Sequence, residues 1–290
     1  MAQYDFVTVD VFTATPFGGN PLAVFPSAEG LTDAQMQALA AEMNLSETTF
    51  VLPPDDPGNT ARVRIFTRTS EMPFAGHPNV GTAHVIASLG LVEGAVLRFE
   101  EIAGLVEVRL RRGGAEIDAP QPLSILGDLP VGIVADCIGL PPDRVCTARH
   151  APVRATTGVE FVLVEVDPGA LGDATPDLSA FRRGIGAHPE LQERLSILAY
   201  ALNGDGGVRA RMFAPLAGTW EDPATGSANA SLAALRLSLS DRDGLKYLAV
   251  QGVEMGRRSE LELRAWRTAS GVRASVAGDC VRMFEGRVTL

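Results

Sequence analysis

The stretch "EMPFAGHPNVGTAHV" (residues 71–85) places Gly-His-Pro where an apolar helical pattern begins. Small residues fill the turn before His77, and the pattern that follows predicts a helix over residues 78–89. The stretch "EDPATGSANASL" (residues 221–232) has the same Glu-x-Pro-x-x-Gly spacing, with Ser227 in the position of His77. We therefore expect two similar turn-and-helix units to organise the fold.

A second pattern precedes each stretch and strengthens the repeat. "RVRIF" (residues 62–66) matches "RARMF" (residues 209–213) at an offset of 147 residues, and the Glu-x-Pro-x-x-Gly pattern recurs at an offset of 150. The two patterns keep the same order in both halves. The sequence thus predicts an internal duplication, giving an α+β protein of two pseudo-symmetric domains with a cleft between them.

The repeat also predicts where the domains begin and end. We expect the first domain to comprise residues 1–120 with a C-terminal strand at residues 280–290, and the second to comprise residues 121–279. The stretch at residues 118–130 carries three prolines and little periodicity, so it is the expected connection.

Three further helices follow from capping signals and hydrophobic periodicity. The first covers residues 32–42, where Thr32 and Gln35 have the spacing of a capping box. The others are expected over residues 191–202 and 227–237. Gly90 should end the helix that follows His77. Strands are expected at residues 5–12, 22–25, 46–53, 61–68, 96–101, 106–112, 160–166, 207–215, 260–267, 272–278 and 280–290.

The composition excludes several classes of function. Of 290 residues, 46% are hydrophobic and 21% charged, and the net charge is −10 without a Lys/Arg-rich run, which argues against nucleic-acid binding. Three cysteines without a C-x-x-C pair suggest reduced thiols and a cytoplasmic protein. There is no signal-peptide pattern and no apolar run of the roughly 18 residues that a membrane span needs, so no membrane association is expected.

The two glycines that open the motif helices suggest an anion site. Gly76 and Gly226 allow close backbone approach, and the first N–H groups of a helix have no partner within it. Such a helix end can bind a carboxylate or a developing enolate oxygen without net positive charge. A small acidic substrate is therefore compatible with the acidic chain.

The two motifs differ at the positions where chemistry is expected. His77 corresponds to Ser227, and Met72 corresponds to Asp222, so one half carries an imidazole and the other a carboxylate and a hydroxyl. His77 could shuttle a proton while Asp222 holds its tautomer. Glu47, in a polar "SETT" stretch, is the candidate for a second acid/base on the opposite face of the substrate, with its pKa raised by burial.

Six stretches together resemble the phenazine-biosynthesis PhzF-like family. They are "DVFTATPFGGNPLAVF", "SETTFV", "EMPFAGHPNVGTAHV", "EDPATGSANASL", "QGVEMGRRSEL" and "VAGDCVRMFEG", and they follow one another over nearly the whole chain. The resemblance implies the diaminopimelate-epimerase-like fold, in which each of two α+β domains wraps a sheet around a central helix. It also implies an active site in the inter-domain cleft and catalysis without a cofactor or metal.

The resemblance assigns roles to individual residues. The family's characterised isomerase shuttles a proton on a cyclohexadiene carboxylic acid, and its acid/base glutamate falls on Glu47 and its motif histidine on His77. The second catalytic carboxylate falls on Asp222. The substrate-binding positions are Asn20, Gly76, Gly226 and Ser227. Family members often form homodimers, so a homodimer is possible here.

Alternative readings remain at this point. Racemases of this fold place two cysteines at the helix starts, whereas this chain has His77 and Ser227 there, so a racemase or epimerase would need a non-cysteine acid/base pair. Asp222 could be ordinary turn chemistry before a helix, and Ser227 a simple N-cap. A protein that binds a small acid without turning it over is the third alternative.

Overall fold

The computed structural model describes residues 1–191 and 195–290. These residues form two compact units. The first comprises Met1–Asp118 together with Ala277–Leu290, and the second comprises Ala119–Val276. Each unit is described by itself.

The first unit contains eight complete strands and two helices. They are β1 (Gln3–Val11), β2 (Asn20–Phe25), α1 (Asp33–Met43), β3 (Glu47–Leu52), β4 (Ala61–Phe66), β5 (Glu71–Met72), α2 (Gly76–Ser88), β6 (Val96–Glu101), β7 (Gly104–Arg111) and β8 (Gly114–Asp118).

The second unit contains the remaining helices and strands that the structure describes. They are β9 (Ser124–Asp128), α3 (Val131–Cys137), β10 (Val153–Thr156), β11 (Glu160–Glu165), α4 (Leu178–Ala187), β12 (Ile197–Leu202), β13 (Val208–Ala214), β14 (Thr219–Asp222), α5 (Gly226–Ser238), β15 (Gly244–Gln251), β16 (Ser259–Thr268) and the long β17 (Gly271–Thr289), whose last part belongs to the first unit.

The sheet of the first unit closes around helix α2. Its strands pair in the order β17, β1, β2, β3, β4, β6, β7 and β8, and β8 pairs again with β17. α2 packs against β1, β2, β3, β7 and β8. Because α2 has no Lys, Arg, Asp or Glu and is buried on nearly all sides, it can occupy the interior of this ring.

Two sequence features fit α2 into its position. A Cβ on Gly81 would lie 2.7 Å from side-chain atoms of Leu22 and Val11, so glycine lets the helix approach the sheet closely. Gly90 adopts φ +70° after the last turn, as predicted, and the N–H groups of Gly90 and Leu91 bond to carbonyls of the final turn. The ring therefore holds the N-terminus of α2 at a fixed place.

Helix α1 covers the outside of the same sheet. The predicted capping box is present: the Gln35 N–H donates to Thr32 Oγ1, and the Thr32 N–H donates to Gln35 Oε1. Met36 and Leu39 pack into a cluster that includes Phe25 and Phe50, whose rings stack with centroids 4.9 Å apart. This second layer makes β2 and β3 buried on both faces.

In the second unit, α5 takes the place that α2 has in the first. The strands pair in the order β9, β10, β11, β12, β13, β15 and β16, with the short β14 beside β13. α5 packs against β10, β11, β15 and β16, and its alanines and leucines are buried. α3 and α4 lie in a separate apolar cluster with residues of β11 and β12.

Each unit contains its own Arg–Glu ion pair at the same place in the repeat, which explains part of the sequence repeat. Arg64 donates to both carboxyl oxygens of Glu71, at 2.6 and 2.7 Å, and Arg211 donates to both of Glu221 at 2.8 Å. In each unit the arginine comes from the R-x-R-x-F strand and the glutamate from the short strand before the buried helix. The pair braces the turn that leads into that helix.

The prediction of a helix over residues 191–202 is wrong for residues 197–202. Ile197–Leu202 is strand β12, which pairs parallel with β11 and antiparallel with β13; residues 192–194 lie outside the described residues. Its sequence, "ILAYAL", is a continuous apolar run. A strand buried on both faces shows no alternation, so periodicity could not distinguish it from a buried helix.

Two further expectations are corrected by strand pairing. The stretch at residues 118–130 is not only a connection, because it contains β9, which pairs antiparallel with β10. The two strands expected at residues 272–278 and 280–290 form one continuous strand, β17. The pattern breaks at Gly278 and Asp279, yet the backbone stays extended there, because Thr13 N–H bonds to the Asp279 carbonyl and Cys280 N–H to that of Gly113.

Candidate active site

In the first unit, three predicted site residues lie where three elements begin. Asn20 is the first residue of β2, Glu47 is the first of β3, and His77 is the second of α2. β2 and β3 are parallel neighbours, with Leu22 opposite Glu47, so both strands start at the same edge. The structure thus brings together residues that are 27 to 57 positions apart in the chain.

The imidazole of His77 lies between a carboxylate and an amide. Its Nε2 is 3.4 Å from Glu47 Oε2, and its Nδ1 is 3.5 Å from Asn20 Nδ2. Asn20 Oδ1 accepts a hydrogen bond of 3.1 Å from Ser46 Oγ, and the amide nitrogen faces the ring. His77 itself is only 6% exposed.

This arrangement selects one tautomer of neutral His77. The amide nitrogen of Asn20 can only donate, so Nδ1 must accept, and the proton of the neutral ring sits on Nε2. This nitrogen lies 3.4 Å from Glu47 Oε2, although the pair does not have the geometry of a hydrogen bond. Asn20 therefore holds the proton of the imidazole on the side of Glu47.

Burial sets the protonation of Glu47. Its side chain is 16% exposed, and burial raises the pKa of this carboxyl to about 7, against smaller lowering effects of the Ser46 hydrogen bond and the Arg68 charge. At neutral pH the acid and the carboxylate are therefore both populated. A group with this pKa can remove a proton and give it back.

The expectation that Glu47 and His77 act from opposite faces of a substrate is wrong. Their side chains belong to the same unit, and their nearest atoms are 3.4 Å apart. No substrate carbon fits between atoms at that distance. Glu47 and His77 instead lie side by side.

In the second unit, a buried polar network surrounds Asp222. Thr225 Oγ1 donates to Asp222 Oδ2 at 2.6 Å. Gln251 Nε2 donates to the Asp222 carbonyl at 2.7 Å and to Thr225 Oγ1 at 3.1 Å. Gln251 Oε1 accepts from Asn229 Nδ2 at 2.8 Å and from the Thr225 N–H. Asp222 is 7% exposed, and its carboxyl group is held in one orientation.

The sequence reasoning missed Thr225, Asn229 and Gln251 as parts of this network. Thr225 and Asn229 belong to the repeated motif, with Ala75 and Asn79 at the corresponding positions. When the offset of 150 residues is applied to the strand that follows each helix, Gln251 corresponds to Glu101. A polar residue at the end of both strands is the signal that could have identified Gln251.

Ser227 is the second residue of α5 and is partly exposed. The N-cap of α5 is Thr225, so the alternative of Ser227 as a simple N-cap is wrong. Gly226 opens α5 as Gly76 opens α2, and the first N–H groups of each helix lack helical acceptors. Each unit therefore carries a polar side chain at the second position of a helix whose first N–H groups are suited to an anion.

No group of three or more His, Cys, Asp or Glu side chains in the described residues is arranged to hold a metal ion. Within the same residues, no helix has the length and apolar character needed to cross a bilayer.

Sequence relatives cover the whole chain. A family model described as phenazine biosynthesis-like protein matches residues 9–286. Trans-2,3-dihydro-3-hydroxyanthranilate isomerase of Pseudomonas aeruginosa is 36% identical over 99% of this chain and 100% of its own length. An isomerase of Mesorhizobium japonicum, itself uncharacterized, is 37% identical over 99% of both chains.

Solved structures share the fold. The Bacillus anthracis phenazine biosynthesis protein of the PhzF family superposes with a TM-score of 0.90 at 25% identity and full coverage of both chains. A hydroxyproline epimerase from Agrobacterium vitis has a TM-score of 0.64 at 15% identity, over 99% of this chain and 93% of that one, and shows the fold alone. Both likenesses agree with a diaminopimelate-epimerase-like fold. The chain belongs to the family of phenazine biosynthesis-like proteins.

Proposed function

We propose that this isomerase moves a proton between two carbons of a small carboxylic acid by general acid/base catalysis, without a cofactor, and that Glu47 carries the proton. The observation that supports this most is a buried carboxyl group with a pKa of about 7 beside a histidine whose tautomer is fixed. The near-neutral pKa lets one group act as base and then as acid.

The proton transfer proceeds in two steps. The Glu47 carboxylate removes a proton from a carbon of the substrate, and the electron pair of that C–H bond enters the conjugated system. The protonated Glu47 then returns the proton to another carbon, where a new C–H bond forms and the double bonds shift. His77 Nε2 lies 3.4 Å from Glu47 Oε2, so a small movement of either side chain would let its N–H donate to the carboxylate form of Glu47.

The substrate carboxylate is assigned to the helix starts. In the first unit, the N–H groups at Gly76 are suitable donors to a carboxylate. In the second unit, taken by itself, the N–H groups at Gly226 and the hydroxyl of Ser227 are donors of the same kind, and Asp222 is an oriented carboxyl group suited to a polar substituent. The related Pseudomonas aeruginosa enzyme is named for a dihydro-hydroxyanthranilate. We therefore place the substrate among cyclic, partly unsaturated carboxylic acids.

A racemase would need a second acid/base group facing Glu47 across the reacting carbon. His77 cannot be that group, because its ring nitrogen lies 3.4 Å from the Glu47 carboxyl. Isomerisation needs only one carboxyl group, which removes the proton and returns it on the same face of the substrate. Glu47 beside His77 meets this need, so we favour isomerisation over epimerisation.

Hydrogen–deuterium exchange tests the proposal. The protein is incubated in D₂O with a panel of cyclic unsaturated and amino carboxylic acids, and deuterium entering carbon is followed by NMR. We expect exchange with the wild type, a loss of about 10²- to 10⁴-fold in Glu47→Gln, and no loss in Glu42→Gln, an exposed glutamate of α1. Binding of a panel member without exchange would favour a binding protein, and exchange that survives in Glu47→Gln would exclude Glu47 as the proton carrier.

A further inference from the structure

A second buried carboxyl group lies near the start of α2 and has no part in the proposed reaction. Glu101 is the last residue of β6, and both its carboxyl oxygens are buried. Among the described residues, neither oxygen meets a donor in good hydrogen-bond geometry, although the Asn79 side chain contacts the carboxyl group. A buried carboxylate in such surroundings is costly.

The corresponding position of the second unit holds a glutamine. β4 and β6 pair in parallel with Ala61 opposite Phe99, and β13 and β15 pair in parallel with Val208 opposite Ala249. The strands of each pair therefore have the same register. Two residues after Phe99 comes Glu101, and two residues after Ala249 comes Gln251.

Gln251 uses both ends of its amide. Its Oε1 accepts from Asn229 Nδ2, and its Nε2 donates to the Asp222 carbonyl. It thereby ties the turn before α5 to the first turns of that helix. The equivalent groups in the first unit are the Asn79 side chain on α2 and the carbonyl of Met72, the last residue of β5.

A carboxylate could accept from Asn79 but could not donate to a carbonyl, whereas a neutral carboxylic acid can do both. The Asn79 amide donates to the carbonyl of Ala75, the N-cap of α2, at 2.9 Å, and the Asn229 amide donates in the same way to the N-cap carbonyl of α5 at 3.0 Å. We infer that Glu101 is a neutral acid that replaces a glutamine: its O–H donates to the Met72 carbonyl, and its other oxygen accepts from Asn79. It is thus a positioning residue for His77, which lies between Met72 and Asn79 in sequence.

The electrostatic surroundings agree with a neutral group. Burial raises the pKa of Glu101 to about 8, and the contact with Asn79 lowers it only partly. The hairpin partner of Glu101 is Gly104, which has no side chain. On β6, Glu100 is bonded to the N–H groups of Asp55 and Asp56 and to Asn59. On β4 and β5, Arg62 pairs with Asp55, and Arg64 pairs with Glu71 and Asp33. On β7, Glu107 pairs with Arg98 of β6, Arg109 pairs with Glu116 and Asp118, and Arg111 ends the strand. On α2, His77 lies beside Glu47, and His84 lies two turns further along the helix.

The neutral acid is tested first by thermal unfolding as a function of pH. If Glu101 is protonated in the folded protein, Glu101→Gln keeps all hydrogen bonds and removes the cost of deprotonation. We expect its melting temperature to match that of the wild type near pH 5 and to exceed it increasingly towards pH 8, by on the order of several degrees. The matched variant Gln251→Glu should show the reverse, a melting temperature that falls below the wild type as pH rises. A Glu101→Gln protein that melts below the wild type at pH 7 to 8 would overturn the inference.

The positioning role is tested by NMR of the His77 imidazole in the protein without substrate. Besides the shift that Glu47 causes as it titrates near pH 7, His77 should show a further shift of its ring ¹⁵N resonances near pH 8 in the wild type, and only this further shift should be lost in Glu101→Gln. A shift near pH 8 that persists in Glu101→Gln, or one that is missing in the wild type, overturns the positioning role. The role of His77 rests on the proposed function, but these readouts need no turnover, so their failure is distinct from failure of the D₂O exchange.

Discussion

At the scale of single residues, the candidate site depends on the protonation state of Glu47, which burial controls, and on the tautomer of His77, which Asn20 controls. Glu47 is an ordinary carboxylic acid whose pKa reaches about 7 because the protein desolvates it. His77 has its tautomer set by the amide nitrogen of Asn20, whose oxygen contacts Ser46. Proton placement therefore follows from burial at Glu47 and from the neighbouring amide at His77.

Asn20 should control the tautomer of His77. In Asn20→Ala the donor to Nδ1 is gone, so the ring is free to carry its proton on Nδ1 and to turn a bare Nε2 towards Glu47. We expect the ¹⁵N spectrum of neutral His77 to change from a single Nε2–H form to a mixture, and the exchange rate to fall about 10-fold or more.

Ser46→Ala is the companion variant for Asn20. It removes the hydroxyl that contacts the Asn20 amide and that also lowers the pKa of Glu47, but it keeps the amide itself, so its effect on the tautomer should be smaller than that of Asn20→Ala. An unchanged spectrum in Asn20→Ala would show that the amide does not set the tautomer.

At the scale of the elements, the buried helix decides where the site lies. α2 can fill the ring of strands because its exposed positions are few and Gly81 lets it touch β1 and β2. Its N-terminus then emerges at the edge where β2 and β3 begin. The site is assembled by this packing rather than by any local sequence motif alone.

Gly81→Ala should test that packing. The added Cβ would lie 2.7 Å from Leu22 and Val11, so the helix or the sheet must move. We expect the free energy of unfolding to fall by about 1–3 kcal/mol, because overpacking outweighs the gain in helix propensity. Chemical denaturation measures this.

Gly132→Ala is the control for the packing experiment. Gly132 lies in α3, and a Cβ there meets no atom within 4 Å. This substitution should leave stability unchanged or raise it slightly. Equal effects of the two substitutions would mean that α2 does not pack tightly against the sheet.

At the scale of the whole molecule, the acid/base group carries a cost in stability. The pKa of Glu47 is about 7 in the folded protein and near 4.5 when solvated, so the folded state holds a proton that the unfolded state releases between these values. Stability therefore falls as pH rises from about 4.5 to 7 and stays at the lower level above that range.

Glu47→Gln should remove this dependence. We expect the variant to be as stable as the wild type near pH 4.5 and more stable at pH 8, by about 3 kcal/mol at most. Urea denaturation at several pH values measures the difference, with Glu42→Gln as the exposed control. A variant that is less stable than the wild type at pH 8 would contradict the raised pKa.

Much of the architecture could be predicted from sequence because it is encoded locally. The capping box of α1, the buried helix after the glycine of each motif, the alternating strands and the end of α2 at Gly90 each follow from short-range patterns. The strand at Ile197–Leu202 and the pairing of Ser124–Asp128 could not, because a run without alternation has no period to read.

The sequence by itself determined the residues for which we propose a chemical role: an imidazole and a glutamate in one half, and a carboxylate and a hydroxyl in the other. Only the tertiary structure decided their relations. It placed Glu47 against His77 rather than across a substrate from it, and it revealed Glu101 at the position equivalent to Gln251. The physical reason is that residue types are local, whereas distances, burial and pKa values arise only when distant strands pair around a buried helix.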